Sequence, residues 1–472
     1  MIGGKKLRRS FAAATTAGLL LSIGTAQTFA ADFGGSCCAD LEERIAELEA
    51  TTARKGNRKV SLTISGHVNQ GVLYWDDGFE DNVGGYTNDN SRTRLRFLGK
   101  AKINADWEAG YRLELGFRDA NSKRFTQDNP TAESGIDVRD SHWYVKNSSL
   151  GSVSVGLQST ATDSITEINQ TQTADFSKYA DVEDTGLGLR LRNASGALSN
   201  RYEYRRLIGV HGDQPGDGEK KFNGVRYTTP ELAGFEASAF WGADDFWDVS
   251  LRYKGEFGGF KLAAGIGYGE ITDGNQTSTA CAAIAAADIP VLAGAPDTDC
   301  SQFGGSVSVL HVNTGLFVNF GAGIKKDDLI DRTVLFSGVA PDDEQTFWSV
   351  QAGIERKWTS FGNTTIYGEY YDYNGGSNTR TIDRDFTGIA AADSESRAAV
   401  LSTGLRSYGF GVAQGFDAAA LTLYLSYRHV EGSLTAASTD LVGGNLVATT
   451  NDVRSVPLED LDLVFAGGII KF

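Results

Sequence analysis

Long apolar runs are missing from this chain. The stretch at residues 11–23 is shorter than the about 20 apolar residues a membrane-spanning helix needs. Residues 282–295 come nearest elsewhere, and Asp288 and Pro290 interrupt them. A helix anchored in a bilayer is therefore excluded. Basic residues are scarce beside acidic ones, 44 Lys and Arg against 60 Asp and Glu, giving a formal net charge of −16. So acidic a chain is a poor nucleic-acid binder, and no nucleic-acid partner is expected. The 4 cysteines and 5 histidines show no metal-site spacing, so no metal or other cofactor is expected. Methionine occurs once, as the initiator, and proline 7 times against 57 glycines. No Pro-rich, Ser-rich or charge-run linker divides the chain after about residue 59. One large domain is then simpler than the two or three that length alone suggests.

What the chain has instead is alternation. Arg92, Arg94, Arg96 and Lys100 share one parity, with Thr93, Leu95 and Phe97 between them. Successive side chains of a β-strand point to opposite faces, so this segment has one cationic face and one mainly apolar face. The pattern recurs. Tyr111, Leu113, Leu115 and Phe117 alternate with Arg112, Glu114, Gly116 and Arg118. Leu251, Tyr253 and Phe257 alternate with Arg252, Lys254 and Glu256, and Trp348, Val350 and Ile354 with Ser349, Gln351 and Glu355. Leu421, Leu423 and Leu425 alternate with Thr422, Tyr424 and Ser426. A soluble sandwich packs apolar faces on a core, but its polar faces seldom stay this charged. In a membrane barrel the apolar face meets lipid and the polar face a water-filled lumen. The expected fold is all-β: a transmembrane antiparallel β-barrel in a lipid bilayer. A mean hydropathy of −0.25 is consistent, because such a barrel shows lipid only every second residue.

The N-terminus differs in kind. Lys5, Lys6, Arg8 and Arg9 precede the apolar stretch, and Thr28-Phe29-Ala30 offers small residues where signal peptidase cuts. Residues 1–30 are thus expected to be a cleaved signal peptide, whose loss removes four positive charges and moves the net charge from −16 to −20. Residues 31–59 are expected to stay in the periplasm. Within them Leu41, Ile45 and Leu48 are spaced i, i+4, i+7 among charged residues, which predicts an amphipathic helix over 40–50. A helix so short is marginal alone, leaving open a coiled-coil-like pairing of subunits and a solvated leader. Cys281 and Cys300 bracket a loop rich in Ala, Asp and Pro, and in an exported protein a disulfide between them is expected. Cys37 and Cys38 are adjacent and hard to bridge to each other; they link subunits or stay reduced.

Strand candidates fall near 60–75, 91–105, 109–119, 136–147, 151–158, 221–229, 233–242, 246–257 and 258–269. Others lie near 304–312, 314–325, 346–358, 362–373, 398–415, 417–430 and 457–472, making sixteen. Tight turns such as 106–108, 359–361 and 417–418 alternate with longer polar connections, as in bacterial barrels. Residues 187–192 and 201–205 form a further strand-like pair, so eighteen strands are possible. Trp75, Trp143, Trp241 and Trp358 fall near strand ends, where an interfacial girdle places them. Gly265-Ile266-Gly267-Tyr268-Gly269 has no helix after it and reads as glycines on one strand face, not a phosphate loop. Asp76, Asp77, Glu80 and Asp81 read as a solvated loop ahead of a cation site.

Three stretches give a family resemblance. The first is Trp143-Tyr144-Val145-Lys146 with Leu150-Gly151-Ser152-Val153-Ser154-Val155-Gly156-Leu157-Gln158. The second is Asn223-Gly224-Val225-Arg226-Tyr227-Thr228-Thr229-Pro230-Glu231-Leu232-Ala233-Gly234-Phe235, and the third is residues 463–472, ending in Lys471-Phe472. Over most of 60–472 the chain resembles the general trimeric porins of Gram-negative bacteria, particularly those of alpha- and betaproteobacteria. The first stretch looks like the strand pair before their third loop, although Leu157 stands where the family often has Arg. The second is similar to the strand, turn and strand after that loop. The third looks like the signal read by the outer-membrane assembly machinery, which gives Phe472 that role. The resemblance implies an outer-membrane channel and not an enzyme, passing ions and small hydrophilic solutes passively. It also implies a homotrimer among outer-membrane lipids, with the third loop folded into the lumen.

The residues of that loop permit a mechanism. The expected constriction segment, residues 159–184, carries Asp163, Glu167, Asp175, Asp181, Glu183 and Asp184 against one base, Lys178. The preceding strands supply Arg92, Arg94, Arg96, Arg112 and Arg118 on the expected lumen face. Opposed acidic and basic walls put a transverse field across the narrowest part of a pore, and rings of charge bias which ions enter. A plainer role for the arginines is to offset strand carboxylates such as Glu114. A substrate-selective channel would need an ordered aromatic or basic track, at which Tyr367, Tyr371 and Tyr373 hint. An adhesin or barrel hydrolase has less support, since His142 beside Ser141 is too little for a catalytic site.

Overall fold

The computed structural model describes residues 60–131, 134–209, 214–218, 221–242, 246–271, 300–327, 330, 333–339, 341–376, 381–389 and 396–472. The signal peptide, the helix expected over 40–50, Cys37, Cys38 and Cys281 lie outside them. Alternation drives the chain into strands. They are β1 (Ser61–Asp76), β2 (Asp81–Thr87), β3 (Arg94–Lys102), β4 (Trp107–Phe117), β5 (Ile136–Asn147) and β6 (Gly151–Gln158). Next come β7 (Arg190–Arg192), β8 (Leu198–Glu203), β9 (Phe222–Thr228), β10 (Phe235–Gly242), β11 (Phe246–Phe257), β12 (Phe260–Ile271) and β13 (Cys300–His311). The rest are β14 (Leu316–Asp327), β15 (Glu344–Arg356), β16 (Thr364–Gly375), β17 (Thr381–Asp383), β18 (Arg397–Phe416), β19 (Leu421–Val442), β20 (Asn445–Val456) and β21 (Leu461–Lys471).

Sixteen of these close into an antiparallel barrel. β1 pairs with β3 through Ile64↔Phe97 and with β21 through Leu73↔Phe465, which joins the first and last strands. From β3 the ring runs through β4, β5, β6, β9 to β16, β18 and β19 to β21. Closure leaves no free edge around the wall. β2, β17 and β20 lengthen the hairpins of β1, β18 and β19 at one end. The other end has short turns, such as 258–259 and 417–420, and there Phe472 exchanges backbone hydrogen bonds with Gly66 at 2.9 and 3.0 Å. The strand-like pair at 187–205 does not cross the wall: β7 and β8 form a separate two-stranded sheet, so the barrel has sixteen strands, not eighteen.

The two faces of the wall differ as the alternation requires. Ile64, Val72, Leu113, Leu251, Ile266, Val318, Ile366, Val412 and Leu425 are all exposed on the outside. An apolar band this extensive on a water-soluble protein would drive aggregation, whereas lipid satisfies it. Trp143, Trp241 and Trp358 belong to that outer face. Trp75 does not. It is 2% exposed and packs inside the barrel with Leu73, Tyr86 and Leu463, which corrects its expected place in the girdle.

That inner packing is extensive. Leu187, Leu189 and Leu191, with Tyr202, Tyr204, Leu207 and Ile208 around the β7–β8 sheet, are fully buried. They pack against inward residues of β16, β18, β19 and β21: Tyr371, Tyr373, Leu405, Val430, Leu434, Leu463 and Phe465. Each buried Leu or Ile side chain contributes roughly 1.5–3 kcal/mol. One side of the lumen is thereby filled with dry packing. Open space remains on the side of β3, β4 and β5.

Candidate constriction site

On the open side, arginines converge on a single carboxylate. Glu114 on β4 is 1% exposed. Arg96 Nε donates to its Oε2 at 2.5 Å and Arg112 Nη2 at 2.6 Å, while Arg139 Nε donates to Oε1 at 2.9 Å. Arg94 Nη1 reaches Oε1 at 3.4 Å. Register explains the meeting: Arg96 pairs across from Glu114, Arg94 from Gly116, and a bulge between Glu114 and Leu115 turns Arg139 of β5 to the same face. Arg112 also lies 3.1 Å from Asp140. Arg92 and Arg118 stand just off the ends of β3 and β4 and flank Asp137 at 3.3 and 3.1 Å. Strand carboxylates thus do offset the arginines, with four guanidinium groups sharing Glu114.

Facing this wall is the chain between β6 and β9. Residues 159–184 run inside the barrel and are tied to successive strands. Asp248 on β11 accepts from the backbone N–H groups of Ala161 and Thr162 at 2.9 and 2.8 Å. Ser306 on β13 donates to the Ile165 carbonyl at 2.6 Å, and Gln351 on β15 donates to the Ser177 carbonyl at 3.0 Å. Arg428 on β19, buried and paired with Glu369 at 2.6 Å, donates to the Lys178 carbonyl at 2.9 Å. Glycines on the inner face make room for the segment. A Cβ at Gly321 would lie 2.2 Å from the Thr166 carbonyl oxygen, and one at Gly267 2.5 Å from Thr162 Cγ2.

Each acidic residue expected on this segment has a lysine beside it. Glu167 and Asp181 lie 2.9 Å from Lys178, Glu183 and Asp184 lie 3.0 and 3.2 Å from Lys123, and Asp163 lies 3.5 Å from Lys221. Asp175 is set apart, 2.5 Å from Lys471 near the C-terminus. Between segment and wall lies a space of about 470 Å³, lined by Arg92, Arg94, Arg118 and Arg139 on one side and Asp163, Glu167, Lys178 and Asp184 on the other. Asp89 also faces it. Burial pushes the Asp89 carboxyl up, but Arg92, Lys123 and Arg124, with the Asn121 amide donating at 2.8 Å, outweigh burial and hold it below the usual carboxylate range.

Other candidates fare differently. Tyr367, Tyr371 and Tyr373 are buried under the inner segment and the β7–β8 packing, so they form no track along the open path. Ser141 is exposed on β5 while the side chain of the next residue, His142, lies beside Asp140 on the inner face, so the two do not meet. Asp77 and Glu80 are bridged by Arg192 at 2.7 and 3.0 Å, and no cluster among the described residues has the make-up of a metal site. Cys300 is disulfide-bonded, and its partner lies outside the described residues. The sequence reading missed Arg139, Lys123 and Lys221. Arg139 is the instructive case, because the bulge breaks the parity that exposed the other arginines.

A closed barrel with an apolar outside and an inward-folded segment beside a charge-lined space is the architecture of a passive diffusion channel of the outer membrane, not of an enzyme. The comparisons narrow the class to a family. A family profile described as "Gram-negative porin" matches residues 14–394, and the chain belongs to that family. Among solved structures, it is similar to the anion-selective porin from Comamonas acidovorans, with a TM-score of 0.50 at 15% identity, covering 88% of this chain and 100% of that one. OmpT, an outer membrane protein of Vibrio cholerae, gives a TM-score of 0.49 at 11% identity, covering 89% and 99%. Salmonella typhi OmpF gives 0.46 at 12%, covering 88% and 99%. No curated protein matches.

Proposed function

We propose that the channel passes ions and small hydrophilic solutes, and that its selectivity is set where residues 159–184 face the arginine wall. The observation that carries this is the 470 Å³ space between Arg94 and Arg139 on one side and Asp163 and Glu167 on the other. Charges held on low-dielectric walls a few ångströms apart act on a solute more strongly than charges in bulk water. A polar solute aligns in that field. An apolar one must disorder oriented water and is disfavoured.

The working unit in this reading is a homotrimer in outer-membrane lipid. Residues 1–30 are its cleaved signal peptide, residues 31–59 its periplasmic segment, and Phe472 its assembly signal. A Cys281–Cys300 disulfide closes the loop after β12, a pairing supported by the export signal and by the bonded state of Cys300. Swelling of proteoliposomes in neutral sugars tests the channel. Uptake should slow steadily from pentoses to trisaccharides. Equal uptake of all sizes would remove the constriction from the account.

A further inference from the structure

The charges a solute meets in the constriction are not those the sequence counts. On the inner segment the carboxylates are withdrawn. The side chains of Asp181 and Glu183 are 0% exposed, Glu167 4% and Asp184 5%, while Lys178, paired with Asp181 and Glu167, is 22% exposed, and Lys221 at 20% is more exposed than its partner Asp163 at 12%. Around Glu114 the order is the same, whereas Asp137 at 31% is more exposed than Arg92 at 14% and Arg118 at 27%. Glu114 is 1% exposed behind Arg96 at 28% and Arg112 at 36%. Around Glu114 on the wall and around Lys178 and Lys221 on the inner segment the more exposed charges are therefore cations, although the chain as a whole carries −16.

The wall also offers a binding geometry. Arg96 and Arg112 share one oxygen of Glu114, at 2.5 and 2.6 Å, while Arg139 and Arg94 share the other. Four guanidinium groups carry about twenty N–H donors against about four acceptor sites on one carboxylate. A planar fork of donors suits oxyanions, which it grips by two parallel hydrogen bonds. Glu114, with Asp140 beside Arg112 at 3.1 Å, leaves the mutual repulsion of four cations partly uncancelled, and a dianion would cancel more of it. The dry packing around β7 and β8 fills part of the lumen, and the charge-lined space lies against Arg94 and Arg139 of this wall.

We infer that the Arg94–Arg96–Arg112–Arg139 cluster is a binding subsite for small doubly charged oxyanions, namely phosphate, phosphomonoesters and dicarboxylates, and that the constriction prefers anions. This rests on the channel reading proposed above. The test uses the full-length protein in planar bilayers under a KCl gradient, followed by titration of inorganic phosphate or succinate into symmetric KCl. The expected reversal potential is on the anion side. Both dianions should reduce the chloride current saturably, and acetate should not. Arg96→Gln should raise the half-blocking phosphate concentration about tenfold, the loss of roughly one charge-assisted hydrogen bond. Arg96→Lys should keep the sign of the potential but restore little of the phosphate block. Should either variant fail the band shift of unheated protein on gels, the wild-type titration alone decides. A cation-side potential, or a block that never saturates, would overturn the inference and leave the channel standing. No current at all from folded protein would remove the channel reading and this inference together.

Discussion

Arg428 shows how single side chains hold the inner segment in place. Its guanidinium is buried, neutralised by Glu369 at 2.6 Å, and donates to Ser177 Oγ, Lys178 O and Val182 O at 3.1, 2.9 and 3.3 Å. Glu369→Gln would leave that cation buried and unpaired, a change that costs about 3–5 kcal/mol. The expected result is a lower heat-modification temperature and a noisier open-channel current. An unchanged temperature and a quiet current would show that the inner segment does not depend on this pair. Asp89 makes a pH prediction. Its carboxyl is held below its unfolded value, so its contribution is fully present above the ordinary carboxylate range and is lost as pH falls through the depressed folded value. Asp89→Asn should therefore lower the heat-modification temperature near neutral pH, and the gap to wild type should close in strong acid. A gap that widens with acidification would contradict the assigned shift.

Among the elements, the strands were legible and the inner packing was not. A period of two survives in sequence wherever one face meets lipid, so all sixteen wall strands could be read from alternation. The same alternation misled at 187–192. Leu187, Leu189 and Leu191 look like a lipid-facing strand, but they pack inward on Leu463 and Phe465, because an apolar face is satisfied by a core as well as by lipid. Trp75 was misplaced for the same reason. The acidic character of 159–184 was also plain, whereas its neutralisation by Lys123, Lys221 and Lys471 depends on contacts between distant parts of the chain that no local pattern records. Two changes test these elements. Gly321→Val would drive a side chain into the backbone at Thr166, 2.2 Å away, so the inner segment must shift and the conductance should change. Shortening the chain across 190–203 should empty the filled side of the lumen and raise conductance severalfold with the barrel intact. Unaltered conductance would mean that side is not part of the water path.

For the molecule as a whole, the shape follows from where water and lipid are found. The outside is apolar because acyl chains surround it, and the strands close because an open edge in lipid would leave backbone groups unpaired. The inside is divided between dry packing around β7 and β8 and a charge-lined space beside β3, β4 and β5. The most direct test of that division is single-channel current from the purified protein in a planar bilayer. Stepwise insertions are expected in which one event closes in three equal levels, with conductance rising in proportion to salt. Folded, heat-modifiable protein that carries no current would contradict this expectation and make the barrel a sealed one.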